Sequence, residues 1–414
     1  MGLRPPEFLS PMNSRWKYLV VSASTCLTIL FLVGSVLGQG ASTQEDTLKH
    51  IGVFSEVVAR IQSEYVEEPD MRSVSLGALD GMLEAIDPFA SYLNADQYRD
   101  YLKNKDVKQA GVGLILSKRP GYVSVVDAIP GSPAAKAGFE TGDMIESIKG
   151  VATRDMPLAY ANMLLGGEPG AEVDLSVVHV RQVEPQTVKL VRSNTQLPPV
   201  DSSMLAGKVG YINVDALGAV QIKQTADAIQ SLQKDGATKL ILDLRDCAAG
   251  APEDGIALAN LFLDKGRITY LQGQRVPRQN FDADPAKAVT TLPMAVLTNR
   301  GTASGAEIAA AALQDDKRAQ LVGEATYGDA SQLKAITMED GGAIILSVAK
   351  YYSPNGQAIQ DTRVTPATPV AEPEPQIDYD ENGEPLPQAQ PQVDLQRKTT
   401  DDPVVKKALE ILNK

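Results

Sequence analysis

The stretch LPMAVLTNRGTASGAEIAAAALQ holds the residues best placed to do chemistry. An apolar strand ends at Asn299, a Gly-containing turn follows, and an Ala-rich helix begins. Ser304 stands at the strand-to-helix turn, where a hydroxyl is exposed and the first helical N–H groups can stabilise an oxyanion. Glu307 lies one helical turn on. Ser-x-x-Glu is also the capping box that opens ordinary helices, so the residues alone leave two readings open, a nucleophile and a cap.

The elements around this stretch alternate. KVGYINV reads as a strand, Ile222 to Lys234 as a helix, KLILDLR as a buried strand and Asp254–Leu263 as a helix. LPMAVLTN, the helix Ser304–Gln314 and QLVGE continue the series, and AIILSVAKYYS adds a further strand or two. Strands alternating with helices predict βαβ units and a largely parallel sheet. Upstream, GVGLIL, YVSVVDAI and VDLSVVHV are β-type runs separated by Gly- and Pro-dense turns, with one short helix near Leu158–Leu165. They predict a small β-rich module. Before it, Ile51, Phe54, Val58, Ile61 and Tyr65 recur at helical spacing. A second helix is predicted over Val74–Ile86, closed by Asp87-Pro88, and Asn94 is placed to cap a third that runs to Tyr101.

Composition excludes several classes. The 414 residues carry 39 Lys+Arg against 52 Asp+Glu, a net charge of −13, the wrong sign for a nucleic-acid binder. Cys26 and Cys247 are far apart and the two histidines, His50 and His179, stand alone. That pattern offers neither a disulfide framework nor a metal centre, and no cofactor motif appears. Arg4, Arg15 and Lys17 precede an uncharged run from Tyr18 to Gly38. A run of that length can cross a bilayer, and the basic flank predicts a cytoplasmic N-terminus with the rest outside. A cleaved signal peptide is the rival reading.

The motifs together resemble the carboxyl-terminal processing peptidases, or tail-specific proteases. FSEVVARIQSEYVEE and GMLEAIDPFASYL resemble that family's N-terminal helical segment, and GVGLIL, IPGSPAAKAGFETGDMIESIKG and GGEPGAEVDLSVV its inserted PDZ domain. KVGYINV, KLILDLR, ALANLFLDKG, the Ser304 segment, TYG and AKYYSPNGQAI follow in the order of its core. The resemblance implies an α+β multidomain fold: an N-terminal helical segment, a β-rich PDZ domain and an α/β protease core with a mostly parallel sheet. The expected parts are a cytoplasmic 1–17, an anchor at 18–38, helices at 48–105, PDZ at 108–193 and core at 200–365. A Pro-rich acidic linker at 366–400 and a final helix at 401–414 complete the chain.

The family pairs a serine nucleophile with a lysine general base, a variant of triad chemistry. By resemblance Ser304 is the serine and Glu307 its supporting carboxylate. The family's lysine follows Thr-aromatic-Gly, and here that position is Asp329. The family's nearby glutamine is also replaced, with Leu333 at its place and Gln332 beside it. The family's Asn-Asn-Pro-Gly-Gly after DLR is Asp246-Cys247-Ala248-Ala249-Gly250, so the implied oxyanion donors are the Gly250 and Gly305 amides, with Ala249 a possible obstacle. An ordinary aspartate, with a pKa of about 3.9, is a poor base for a serine, and Lys334, Lys350, His50 and His179 are weak substitutes by position. Cys247 reads as a small buried residue. Gly111, Val112, Gly113 and Leu114 map to the loop that captures a C-terminal carboxylate, with the peptide adding as a strand.

Two functions compete. One is a membrane-tethered serine endopeptidase acting outside the cytoplasm, on the periplasmic side, with activity impaired by Asp329. The other is an inactive pseudopeptidase that binds C-terminal tails as an adaptor. The partners expected are protein or peptide tails and the membrane, with no nucleic acid, and self-association or pairing with an active relative.

Overall fold

The computed structural model describes residues 48–105, 110–119, 121–154, 156–180, 182, 184–360, 362–372 and 402–413. The apolar run at 18–38 lies outside them. Among the described residues no helix is long and apolar enough to cross a membrane. The chain divides into two compact units, Met1–Leu76 and Gly77–Lys414. In the first, helix α1 covers 48–64 and exposes Leu48, Ile51, Phe54 and Val57.

Helix α2 (Met71–Glu84) ends ahead of Pro88. The next segment departs from the all-helical expectation, because Ser91–Leu93 forms strand β1. Its three residues are buried and pair antiparallel with Ala343–Ile345, so a short apolar segment is claimed by a distant partner. Asn94 then caps α3 (Ala95–Asn104) through the Asp96 and Gln97 amides, and Gln97 returns a bond to the Asn94 N–H. That reciprocal box is what the sequence offers there.

The β-rich module follows: β2 (Leu114–Arg119), β3 (Tyr122–Ala128), α4 (Pro133–Lys136), β4 (Met144–Ile148), β5 (Val151–Ala152), α5 (Leu158–Leu165), β6 (Glu172–Val178) and β7 (Gln186–Val191). Its sheet runs β2-β3-β4-β6-β7, so β2 is an edge strand. Val123, Ile145, Ile148, Leu175 and Val177 fill the core beneath Leu158 and Ala161 of α5. The alternation of β6, with Val173, Leu175 and Val177 turned inward, is the period of a half-buried strand.

The core begins with β8 (Asp201–Leu205), β9 (Val209–Asn213), α6 (Ala219–Lys234), β10 (Lys239–Asp243) and α7 (Pro252–Asn260). It continues through β11 (Arg267–Gln272), β12 (Gln279–Asp282), β13 (Met294–Thr298), α8 (Gly305–Asp315), β14 (Ala319–Gly323), β15 (Ser331–Thr337), β16 (Ala343–Tyr352), β17 (Thr368–Pro369) and α9 (Pro403–Leu412). One sheet has the order β17-β14-β13-β10-β9-β8 and is parallel except for β8. All five residues of β13 are buried, as a central parallel strand covered on both faces requires. The parallel expectation fails for β16. It is the hub of a separate antiparallel sheet with β1, β11 and β15, whose members come from distant parts of the chain. The linker expected from 366 also starts later, since Thr368 and Pro369 pair with Val322 and Gly323 as an edge strand, where proline is tolerated.

Arg245 fastens the far end. Its guanidinium bonds Asp243 bidentately, Glu372 at 3.2 Å and Asp402 at 2.7 Å. Tyr211 donates to Asp243 at 2.6 Å, and Asp402 also caps α9 through the Val404 amide. Burial disfavours the Asp243 charge, but the Arg245 charge together with the Arg245 and Tyr211 hydrogen bonds outweighs it and holds the carboxyl below its usual range. Removing one partner of a buried pair strands the other. Arg245→Met is therefore expected to lower stability by about 3–5 kcal/mol in chemical denaturation, whereas Arg267→Met, at an exposed pair with Asp282, should cost under about 1 kcal/mol.

Candidate active site

Ser304 sits between β13 and α8 with φ 53° and ψ −120°. A positive φ at a non-glycine residue is strained and persists only where the surroundings enforce it. The enforcement comes from Glu307, whose side chain is fully buried. Its Oε2 accepts from the Ser304 N–H at 3.1 Å and the Asp329 N–H at 2.8 Å; its Oε1 accepts from the Gly328 N–H at 2.7 Å and from the Thr326 hydroxyl. Thr326 in turn accepts from the Val364 N–H. One carboxylate thus ties the serine turn to the Thr-Tyr-Gly-Asp segment. Burial pushes the Glu307 carboxyl up to about 7, with the Thr326, Asp329 and Gly328 bonds opposing that rise.

The rival capping reading is half met. Glu307 returns its carboxylate to the Ser304 amide as a cap partner does, but the Ser304 hydroxyl donates to the Gly250 carbonyl at 3.1 Å instead of accepting from the helix. That leaves it at the surface of the turn, facing the 246–250 loop.

Two glycines bring this loop and the serine helix together. A Cβ on Gly255 of α7 would lie 1.9 Å from the Gly305 carbonyl oxygen, and one on Gly305 would lie 2.4 Å from the Ala251 carbonyl oxygen. Gly250 has φ +147°, and a Cβ there would meet the Leu217 side chain at 2.5 Å. The Gly250 and Gly305 N–H groups have no protein acceptor among the described residues, so both oxyanion donors named from the sequence remain available. Ala249 is no obstacle. It keeps an ordinary backbone conformation and its carbonyl accepts from the Leu217 N–H at 2.7 Å.

Asp329 stands where the resemblance puts a lysine. Its carboxyl is partly buried and receives no hydrogen bond or ion pair among the described residues. Burial, and then the charge of Asp87, push it up to about 7. Asp87 is itself buried and held by the Phe89 and Ser347 amides at 2.9 and 3.2 Å. The reference value used for an ordinary aspartate is therefore wrong for this one. What Asp329 lacks is contact, since among the described residues the Ser304 hydroxyl bonds only Gly250. Lys334 and His179 make no bond to the Ser304 hydroxyl either. Lys334 is exposed on β15, His179 is paired with Asp143 at 2.8 Å inside the β-rich module, and His50 lies on the exposed face of α1. Cys247 is buried, 1% exposed, and burial pushes its thiol up, away from reactivity. Leu333 and Gln332 are exposed on β15.

Sequence reasoning missed Asp87, Thr326 and Gly255. Asp87 was read only as a helix stop, and the close approach at Gly255 is invisible without the crossing of α7 and α8.

The β-rich module offers a second site. A groove of about 300 Å³ is lined by Gly111, Val112, Gly113 and Leu114 on one side and Asn162, Leu165 and Gly166 on the other. The Val112 and Gly113 N–H groups have no protein acceptor among the described residues, while their carbonyls accept from Ala134 and Ile129. Gly113 has φ +82°, and a Cβ there would overlap the Ser132 side chain at 2.2 Å. The edge strand β2 runs on from this loop. The same strand touches the candidate active site through Ser117, whose hydroxyl bonds the Tyr327 hydroxyl.

Two family models match the chain, Peptidase family S41 over residues 208–370 and a PDZ domain over residues 124–178. The carboxy-terminal processing protease CtpA of Bacillus subtilis is 30% identical over 354 residues, covering 84% of this chain and 75% of the relative. The chain belongs to the carboxy-terminal processing protease family. The carboxyl-terminal-processing protease of Synechocystis sp. is 33% identical over 321 residues, 76% of this chain and 75% of its own. Among solved structures, the photosystem II D1 C-terminal processing protease superposes with a TM-score of 0.62 at 26% identity, over 75% of this chain and 85% of that one. The family's α+β architecture, with a PDZ domain and an S41 core, is the one described above.

A carboxyl whose folded pKa is raised gives stability that is complete below its unfolded pKa and is lost as pH rises through the folded value. Asp329→Asn is therefore expected to stabilise the protein by about 1–3 kcal/mol at pH 8 and to have little effect near pH 4. Thermal unfolding of parent and variant at the two pH values measures this.

Proposed function

We propose that this member of the family recognises the C-terminal tails of proteins while its hydrolytic step is impaired, so that it acts mainly as a tail-binding adaptor. The observation that carries this reading is the Ser304 hydroxyl bonded to the Gly250 carbonyl with a carboxyl group, Asp329, at the position of the base. Attack on a peptide carbonyl forms the Ser304 Oγ–C bond only as the hydroxyl proton leaves, and that proton must later reach the departing amine. Near neutral pH Asp329 offers either a protonated acid, which cannot take the proton, or an anion beside a developing oxyanion, which raises the barrier.

Tail recognition rests on the 110–114 groove. Its two unengaged N–H groups suit a terminal carboxylate, the edge of β2 suits an added strand, and the Leu165 wall suits an apolar last residue. We take 108–193 as the recognition module and 200–365 as the inherited protease core. Ser304, with Glu307 as its supporting carboxylate, is what remains of the Ser-Lys pair, and Gly250 with Gly305 form the oxyanion hole. The run at 18–38 would tether both to the extracytoplasmic face of a membrane, where the protein would act as a homo-oligomer or beside an active relative.

A second reading is a slow peptidase with Asp329 as base, favoured by its carboxyl lying near 7. The full-length protein, incubated with an unfolded protein ending in an apolar tail, separates the two. The adaptor reading expects binding that Gly113→Ala weakens at least about tenfold, no cleavage by the parent, and cleavage gained in Asp329→Lys. Cleavage by the parent that is lost in both Ser304→Ala and Asp329→Asn would establish the slow peptidase instead. Unchanged binding in a folded Gly113→Ala protein would refute the groove.

A further inference from the structure

The seam between the PDZ strand β3 and the 246–250 loop is closed by apolar packing and carries one misplaced acid. Val126 packs on Ala248 and Ala303, the residue before Ser304, with Ile115 and Tyr327 at the margin. The next residue on β3, Asp127, is 6% exposed, and its Oδ2 has no hydrogen-bond partner. The charged groups facing it all belong to the core and are all acidic: Asp246 from the loop and Asp215 from the turn after β9. Cys247 lies beside them as a buried, neutral thiol. Asp215 accepts from the Asn213 amide at 2.7 Å and Asp246 from the Asn299 amide at 2.9 Å. The Ala128 and Ala248 N–H groups favour an Asp127 anion, but each counts for less than the desolvation that opposes it.

A buried carboxylate with a bare oxygen and two like charges is costly. Something must cancel it. No Lys, Arg or His forms an ion pair with Asp127 among the described residues, and no group of His, Cys, Asp and Glu among them is arranged to hold a metal ion. A proton remains. Desolvation first, then Asp246 and Asp215, push this carboxyl well above its usual range.

We propose that Asp127 is a proton-operated latch between the PDZ domain and the core: protonated, it lets β3 rest on the 246–250 loop, and ionised, it is repelled by Asp215 and Asp246 and the seam opens. The latch governs access to the loop and to Ala303, and it works whether or not Ser304 cuts. Its sign follows from linkage. The closed seam holds the proton more tightly than the open one, so closure is complete at low pH. It weakens from about pH 4, the value of a free aspartate, by about tenfold per pH unit until the closed-state value is reached.

Hydrogen–deuterium exchange of the full-length protein in mild detergent, corrected for intrinsic rates, tests this between pH 4 and pH 9. Protection of 122–128 and 244–250 is expected to fall with rising pH relative to β13, by at least about tenfold overall. In Asp127→Asn the fall should vanish. A parent whose seam protection tracks β13 at every pH overturns the latch, and so does an equal fall in Asp127→Asn. Asp215→Asn provides a second arm if Asp127→Asn does not fold: its total fall should be smaller and end at lower pH, and a fall identical to the parent's overturns the repulsion on which the latch depends.

Discussion

The Glu307 carboxylate is the fixed point of the serine face. It is buried without a cation, and four donors from two chain segments converge on its two oxygens. Each bond is a charge-assisted contact in a dry setting, where leaving a donor unpaired costs about 1–3 kcal/mol. The strained Ser304 backbone, the entry into α8 and the path of 326–329 all depend on it. A lysine and an aspartate at position 329 would present the same backbone N–H to Glu307. The backbone bond to Glu307 is therefore indifferent to which side chain stands at 329.

The second constraint is steric. Gly255 and Gly305 let α7 and α8 approach until a backbone carbonyl fills the space a Cβ would need. This contact sets the Ser304 turn beside Gly250. On the proposed reading, the site retains the amides that would hold an oxyanion and lacks the base that would create one. Catalytic power is a difference in binding between ground and transition states, so an intact hole without proton transfer leaves a pocket that binds and releases.

Much of this was legible in the sequence, and the boundary is physical. Helices with strong local signals came through nearly unchanged: Asn94 caps α3, and the predicted Leu158–Leu165 helix is α5. The βαβ series through β9, β10, β13 and β14 was readable because each strand is a short buried run framed by helices. The antiparallel sheet was not. Strands β1 and β11 are joined to β16 from far away in the chain, which no local pattern records. At the site, residue types placed Ser304, Glu307 and Gly250, while the resemblance supplied their roles. The raised pKa of Asp329 is not legible locally, because it comes from burial in the folded site and then from Asp87, 242 positions upstream. Asp127 escaped notice for the same reason, being an ordinary strand residue until the core is set against it.

The Arg245 cluster has a topological meaning as well as an energetic one. Glu372 and Asp402 bind the same guanidinium, so the chain leaves the core and returns to it at one point. Both ends of this excursion are anchored in one ion network, and α9 is clamped under β13 and β14 by Val404, Val405 and Ala408. A protease that severed this excursion would produce two fragments that stay together without a covalent bond. Continuity of the fold at this point thus resides in a shared guanidinium as well as in the peptide chain.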